Sequence, residues 1–256
     1  MGSHGVLSMP SGISADNIIG AGTSGICFRY PGTNKVIKIP LTDDEEGERC
    51  RIEAKVYERI QNLPDRPSSI LGYYGRTPYG IELAYASHGS IRQYRKNGGR
   101  FPNELLYRWA EQASEAMAFC HTYGILHADI NCRNFFIDDS LNLLLADFAG
   151  SSIDKEIPLV YYSASHRHPN CRESPLVATV QTEIFAYGSF LYELVTGDAP
   201  VTSGSSLEVF PDVTNLILGA VMSGCWNDEF ETMNDVRQRI KEEMQALDIL
   251  CPNVSF

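Results

Sequence analysis

No stretch of this 256-residue chain is a candidate membrane span. Its apolar runs stop short of the roughly 18 residues that a bilayer core requires. Positive charge is also scarce: Lys and Arg total 21 against 32 Asp and Glu, a net charge of −11. That deficit speaks against sequence-independent nucleic-acid binding, which needs a basic surface; a basic peptide suits such a field better. Paired cysteine spacing is missing. Cys27, Cys50, Cys120, Cys132, Cys171, Cys225 and Cys251 contain no C-x-x-C. Their odd number and scatter argue against a disulfide framework and a structural zinc site, and predict a reducing intracellular compartment, the cytoplasm. There is no internal repeat and no low-complexity segment, and Met1 to Gly5 are too polar for a secretory signal. What is present is ordinary for a globular protein: 43% apolar and 21% charged residues. The length suffices to bury a core, as one large domain or two small lobes.

The pattern along the chain changes near residue 87. Before it, short alternating runs predict strands at Gly25 to Tyr30 and Lys35 to Ile39, joined by Pro31-Gly32-Thr33-Asn34 as a hairpin turn. Ile70 to Tyr74 and Gly80 to Tyr85 read as two more strands. Asp43 to Asn62 reads as a helix with an acidic start, as the helix dipole prefers. After residue 87, helical spacing takes over. Asn103 to Tyr123 sets Leu106, Trp109, Ala110, Ala113, Met117 and Cys120 on one stripe. Thr182 to Thr196 is apolar enough to be a buried helix, and two further helices are predicted at Val213–Ser223 and Met233–Ala246.

Two motifs carry chemistry. His127-Ala128-Asp129-Ile130-Asn131-Cys132-Arg133-Asn134 reads H-x-D-x-x-x-x-N, and Asp147-Phe148-Ala149 follows, its acid 18 residues after Asp129. An acid and an amide five apart can share one loop and face one point. A second acid after the next strand can join them around a metal. Phosphoryl transfer from a nucleotide needs that combination: one carboxylate for the acceptor hydroxyl, an Asn and an Asp for Mg²⁺. Upstream, Gly20-Ala21-Gly22-Thr23-Ser24-Gly25 is a G-x-G-x-x-G between two predicted strands. Glycines let a backbone fold closely over phosphates. No helix follows, which excludes the dinucleotide-binding variant of this motif. Lys38 lies 13 residues after Gly25 as a lone cation in an apolar strand. Taken alone, it could be an edge-strand lysine facing water.

These motifs resemble the glycine loop, strand lysine, catalytic loop and D-F-G segment of eukaryotic protein kinases. The resemblance runs from about residue 16 to 246 and is closest to the compact kinase domains of fungal type. It implies an α+β bilobal fold, a small antiparallel β-rich lobe with one helix and a larger helical lobe. It implies a single domain over 1–256, with lobes at about 14–84 and 89–250 and a hinge at 84–88. ATP and Mg²⁺ are the implied cofactors, and a protein substrate is the implied partner, with neither nucleic acid nor membrane. Asp129 matches the catalytic base, while Asn134 and Asp147 match the metal ligands. Lys38 matches the lysine on the phosphates, and Glu53 the carboxylate that orients it, with Glu48 and Glu58 as alternatives. Gly20, Gly22 and Gly25 cover the phosphates. Cys27 and Val36 match the roof of the base pocket, Phe136 its floor, Leu83 the gatekeeper, and Ala84 and Ala86 the backbone contacts to adenine, with Tyr85 pointing away. Tyr57 is expected beside Phe148, and His127 as a buttress of the loop. Glu183, 36 residues after Asp147, stands for the acid of the family's D-x-W-x-x-G helix, and Cys225-Trp226 for its late C-W pair.

The sequence also departs from the family. Ala128 replaces the Arg of H-R-D, the usual partner of a phosphorylated activation segment. Ser151, Ser152, Tyr161 and Ser163 therefore lose their standard anchor. Ala149 replaces the Gly of D-F-G and restricts the backbone there. His166-Arg167-His168-Pro169-Asn170-Cys171 stands where A-P-E is usual, so the family's buried Glu–Arg pair is expected to be absent or replaced. Three readings follow: a protein kinase acting on Ser or Thr, with Tyr open; a small-molecule phosphotransferase of the aminoglycoside- or choline-kinase type, which shares H-x-D-x-x-x-x-N; and a nucleotide-binding scaffold without turnover.

Overall fold

A computed structural model describes residues 9–42, 45–160, 162–171, 178–201 and 210–247. Five strands form the first sheet: β1 (Ile18–Gly22), β2 (Gly25–Arg29), β3 (Lys35–Ile39), β4 (Tyr73–Thr77) and β5 (Gly80–Ala84). Their order is β1-β2-β3-β5-β4, antiparallel throughout. The β2–β3 turn closes as the sequence predicts, with Thr33 donating to the Tyr30 carbonyl. Gly25 has φ +127°, and a Cβ there would stand 2.4 Å from the Ile39 carbonyl oxygen, so only glycine starts β2.

Strand period fixes the placement of Lys38. On β3, Ile37 and Ile39 pack with Phe28 and Ile13 on one face. Val36 belongs to the main core on the other. Alternation puts Lys38 on the same side as Val36, facing the helix α1 (Glu45–Ile60). Because β3 is central, its lysine is only 5% exposed, and the solvent-facing reading falls. Helix α1 buries Cys50, Ala54, Val56, Tyr57 and Ile60 against this sheet. The predicted start at Asp43 lies outside the described residues.

The second half holds α2 (Ile91–Lys96), α3 (Asn103–Thr122), α4 (Val180–Thr196), α5 (Gly219–Trp226) and α6 (Met233–Ala246). Two short pairs accompany them: β6 (Ile125–Leu126) with β9 (Ser152–Ile153), and β7 (Phe135–Ile137) with β8 (Leu143–Leu145). The stripe read on α3 is buried throughout. Helix α4 is buried nearly all round, capped by Thr179 at its start and by Gly197, φ +96°, at its end. At Gly188 a Cβ would lie 2.8 Å from that of Cys225, so the glycine of this helix and the late C-W pair meet at one close crossing.

Two expectations are corrected. Ile70 to Tyr74 is not a strand of the sheet, because β4 begins only at Tyr73. Ile70 instead bridges in parallel to Leu145. Arg66 donates to the Ile70 and Leu71 carbonyls at 2.9 Å each, and Leu71 N–H to the Leu145 carbonyl at 2.9 Å. These residues are extended, but they tie the sheet half to β8. Likewise the helix expected at Val213–Ser223 starts at Gly219. The Asp212 carboxylate accepts from Thr214 N–H at 2.9 Å, and Leu218 turns left-handed at φ +61°. Side-chain and backbone turns there compete successfully with helix.

Candidate active site

Register brings the site together. In the β7–β8 hairpin, Phe135 pairs with Leu145, and Ala146 N–H donates to the Asn134 carbonyl at 2.9 Å. Asn134, just before β7, and Asp147, two residues past β8, therefore share one end. The Asn134 amide donates to the Asp129 carbonyl at 2.7 Å and to its Oδ2 at 2.9 Å. Asn131 donates to Asp129 Oδ1 at 2.9 Å. From the sheet half, Lys38 Nζ reaches Asp147 Oδ1 at 2.7 Å and Glu53 Oε2 at 2.6 Å. Lys38, Glu53 and Asp147 thus form one bonded set and Asn134 and Asp129 another, and the backbone bond from Ala146 to Asn134 holds the two side by side. Glu48 and Glu58 are excluded as partners of Lys38, since they pair with Arg51 and Arg76.

Electrostatics follow from burial and these contacts. Burial opposes the Lys38 ammonium, but the Asp147 and Glu53 carboxylates outweigh it and its pKa lies above the ordinary lysine value. Burial likewise opposes charge on Asp147, yet Lys38 holds this carboxyl below the usual range. Burial pushes Glu53 up despite its lysine. The Cys27 thiol is pushed up to about 11 by burial.

Backbone strain marks the loop. Ala128 and Asp147 are left-handed, at φ +65° and +62°, which costs about 1–2 kcal/mol each in a non-glycine residue. Ala128 is held by Glu183, whose Oε1 accepts its N–H at 2.6 Å. Glu183 is buried on α4 and also bonds His121 Nε2 at 2.8 Å and Tyr162 at 3.4 Å. Burial opposes its charge, but these partners hold its carboxyl below the usual range. His127 bonds the Ala146 carbonyl at 2.9 Å and accepts from Asp129 N–H at 3.3 Å. It braces the loop as expected. Phe148 packs edge-on against Tyr57, ring centroids 5.2 Å apart.

The remaining candidates lie on β1, β2, β3, β5, the link after β5, and β7. Leu83, Val36 and Ala86 are buried in one cluster, against which Ala84 and Phe136 pack. Cys27 is half-buried on β2, opposite Lys38 on β3. Ala86 is 7% exposed, and its N–H has no hydrogen-bond partner among the described residues, an orphan donor of the kind a heterocycle can satisfy. Gly20 and Gly22 would place a Cβ in open space, so within the protein only Gly25 of the three is sterically required. Among the described residues, Asp147 Oδ2 and Asn134 Oδ1 likewise have no hydrogen-bond partner. An amide and a carboxylate oxygen are hard donors that suit Mg²⁺ bound together with phosphates. No closed cluster of three or more His, Cys, Asp or Glu able to hold a metal occurs among the described residues. The donor set therefore fits a shared metal, not a caged one.

Sequence reasoning missed several contributors. Ser24, at the glycine-loop tip, reaches Asp147 Oδ1 at 3.4 Å, and Arg49 Nη1 donates to the Thr23 carbonyl at 3.1 Å. Arg59 of α1 forms a two-pronged pair with Asp154, at 2.8 and 2.6 Å, while Lys55 meets Glu156 at 3.3 Å. Two fixed acids of the segment after Asp147 thus pair with α1. Ser151 and Ser152 are 2% exposed and bonded to the His127 and Glu156 carbonyls. Both hydroxyls are thus engaged within the fold; Tyr161 lies outside the described residues. In the segment that stands where A-P-E is usual, His168 Nε2 meets Asp228 at 3.2 Å.

His166 is buried, with Nδ1 bonded to Ser163 and Ser165, and with Nε2 3.7 Å from the Glu193 carboxylate and without a hydrogen bond among the described residues. Burial lowers its pKa to about 4. Between pH 6.5 and about 4 the unfolded chain takes up a proton that the folded chain refuses, so stability falls as pH falls through that window. The expected loss is about 3 kcal/mol. It is read from urea midpoints, and His166→Gln should flatten that part of the profile.

The sheet, the helices and this charged group define a bilobal phosphotransferase architecture of the kinase class. The match to the protein kinase domain family covers residues 14–253. The chain belongs to that family. Its relatives include a probable serine/threonine-protein kinase of Clostridium acetobutylicum, 25% identical over 75% of this chain and 31% of the relative. The mitogen-activated protein kinase kinase kinase dlk-1 of Caenorhabditis elegans is 21% identical over 80% of this chain and 22% of its own length. Human serine/threonine-protein kinase A-Raf is 24% identical over 75% of this chain and 33% of its own length. The chain thus spans a third or less of the length of these three relatives. No helix among the described residues is long and apolar enough to cross a membrane.

Proposed function

We propose that this chain is an ATP- and Mg²⁺-dependent protein kinase that transfers a phosphoryl group to Ser or Thr hydroxyls of a protein. The observation that carries this reading is the bridge from Lys38 to Glu53 at 2.6 Å and Asp147 at 2.7 Å. It joins the sheet half to a loop where Asn134 fixes Asp129. ATP bound with Mg²⁺ supplies the transferable group and neutralises its charge. Lys38 presents a fixed ammonium toward the phosphates, and Glu53 sets its direction. Asp147 and Asn134 offer metal-binding oxygens. Asp129 orients the acceptor hydroxyl and takes its proton. Gly20, Gly22 and Gly25 let backbone N–H groups approach phosphates. Cys27, Val36, Leu83 and Phe136 flank the base, with Ala84 and Ala86 giving backbone contacts. The same reading takes 14–84, 84–88 and 89–250 as small lobe, hinge and large lobe of one domain; residues 248–250 lie outside the described ones.

The names of the relatives, all protein kinases, support a protein acceptor over a small alcohol. The test is transfer of label from γ-labelled ATP to mixed proteins, aminoglycoside and choline in parallel. Label in protein is expected. Label only in a small alcohol would instead select the small-molecule reading, and nucleotide binding without transfer would select the scaffold.

A further inference from the structure

A groove of about 220 Å³ opens between α2, the catalytic-loop candidate and the end of α4. Arg92, Arg95 and Lys96 line it from α2, Cys132 from the loop, and Glu193 and Gly197 from the end of α4. Three cations thus face one carboxylate. The sequence around α2 is a cationic island in an acidic chain: no Asp or Glu occurs from Leu83 to Asn103, whereas Arg92, Arg95, Lys96 and Arg100 do.

The groove is joined to the site. Arg92 N–H donates to the Cys132 carbonyl at 3.4 Å, and Glu193 Oε2 accepts Cys132 N–H at 3.3 Å. Cys132 lies three residues beyond Asp129. Two of the cations are fixed in place. Arg92 pairs with the buried Glu193 through Nε. Arg95 donates to the Leu194 carbonyl at 2.6 Å and lies 4.0 Å over the Phe101 ring. Cations already held in position lose less side-chain freedom on meeting an anion. Lys96 is exposed and has no partner among the described residues.

We propose that this groove docks an anionic side chain of the protein substrate, so that the enzyme selects hydroxyls accompanied by a carboxylate- or phosphate-bearing residue. The inference rests on the protein-kinase reading and names the substrate class of that site. It reverses locally the preference for basic peptides that net charge alone implies. Three loop residues span at most about 10 Å, so the anion lies within about five residues of the acceptor in an extended substrate.

The experiment uses the full chain with Mg-ATP and serine-acceptor peptides. Each flanking position is fixed in turn as Glu, phosphoserine, Ala or Lys. One position is expected where Glu or phosphoserine raises kcat/KM over Ala by about tenfold. Lys96→Glu should bring that ratio close to one, and Lys96→Arg should keep it. A phosphoserine preference exceeding that for Glu identifies a previously phosphorylated substrate; equal preferences identify an acidic one. A flat profile, or a preference unmoved by Lys96→Glu, overturns the inference while transfer itself persists. Absence of transfer to every peptide overturns the protein-kinase reading and this inference with it.

Discussion

Asp147→Ala is expected to lower phosphoryl transfer by more than about 10³-fold, to background. Burial opposes the charge on Asp147, but Lys38 holds the carboxyl below the usual range. Among the described residues only one of its oxygens is engaged, by Lys38 and Ser24, which leaves the other for a metal. Removing it takes away a hard donor and one of two counter-charges of a buried ammonium. Glu53 remains 2.6 Å from Lys38, so the fold should survive and the loss should lie in chemistry. Initial rates of label transfer across a Mg²⁺ titration check this. A variant that regains full activity at high Mg²⁺ would show that Asp147 tunes metal affinity alone, and one at half the wild-type rate would remove it from the site.

Asp129→Asn is expected to slow transfer by about 10²–10⁴-fold, the range for a positioned general base. The two oxygens of Asp129 accept from Asn131 and Asn134, each at 2.9 Å, and this pins the carboxylate toward one direction. An amide at 129 sets N–H against N–H on one side and cannot accept a proton on the other. The KM for ATP should change little while kcat falls, because Asp129 does not touch the Lys38–Asp147 group. A fall in ATP affinity with kcat unchanged would move Asp129 from the acceptor to the nucleotide.

These two residues were legible in the sequence because their chemistry sits in short segments with fixed spacing. A hairpin of a few residues carries Asn134 and Asp147 to one end, and any chain with that turn does the same. Lys38 was legible for a related reason, being the one cation within the apolar run from Val36 to Ile39. The pairings that complete the site have no such signature. Arg59 and Asp154 are 95 residues apart, and Ser24 and Asp147 are 123 apart. Neither end of these pairs breaks a local pattern, so nothing in the sequence marks them.

Ile70 to Tyr74 illustrates another limit. An extended run declares itself by composition, but the strand it pairs with is a property of the whole fold. Here Arg66 and Leu145 decide it. The late start of α5 has the opposite cause: local turn bonds at Asp212 and a left-handed Leu218 override helical periodicity. The departures from the family were visible as absences, while their replacements were not. Ala128 lacks the arginine, but the acids Asp154 and Glu156 already engage α1 through Arg59 and Lys55. Two surface ion pairs thus tie the start of that segment to α1.

Calorimetric titration of ATP into the wild-type chain, Lys38→Met and Asp147→Ala, each with and without Mg²⁺, tests the central claim most directly. The convergence of Lys38 and Asp147 predicts that Mg²⁺ strengthens binding to the wild-type protein. It also predicts that this gain vanishes in Asp147→Ala and that Lys38→Met weakens binding under both conditions. ATP binding of equal strength in all three proteins, indifferent to Mg²⁺, would contradict it.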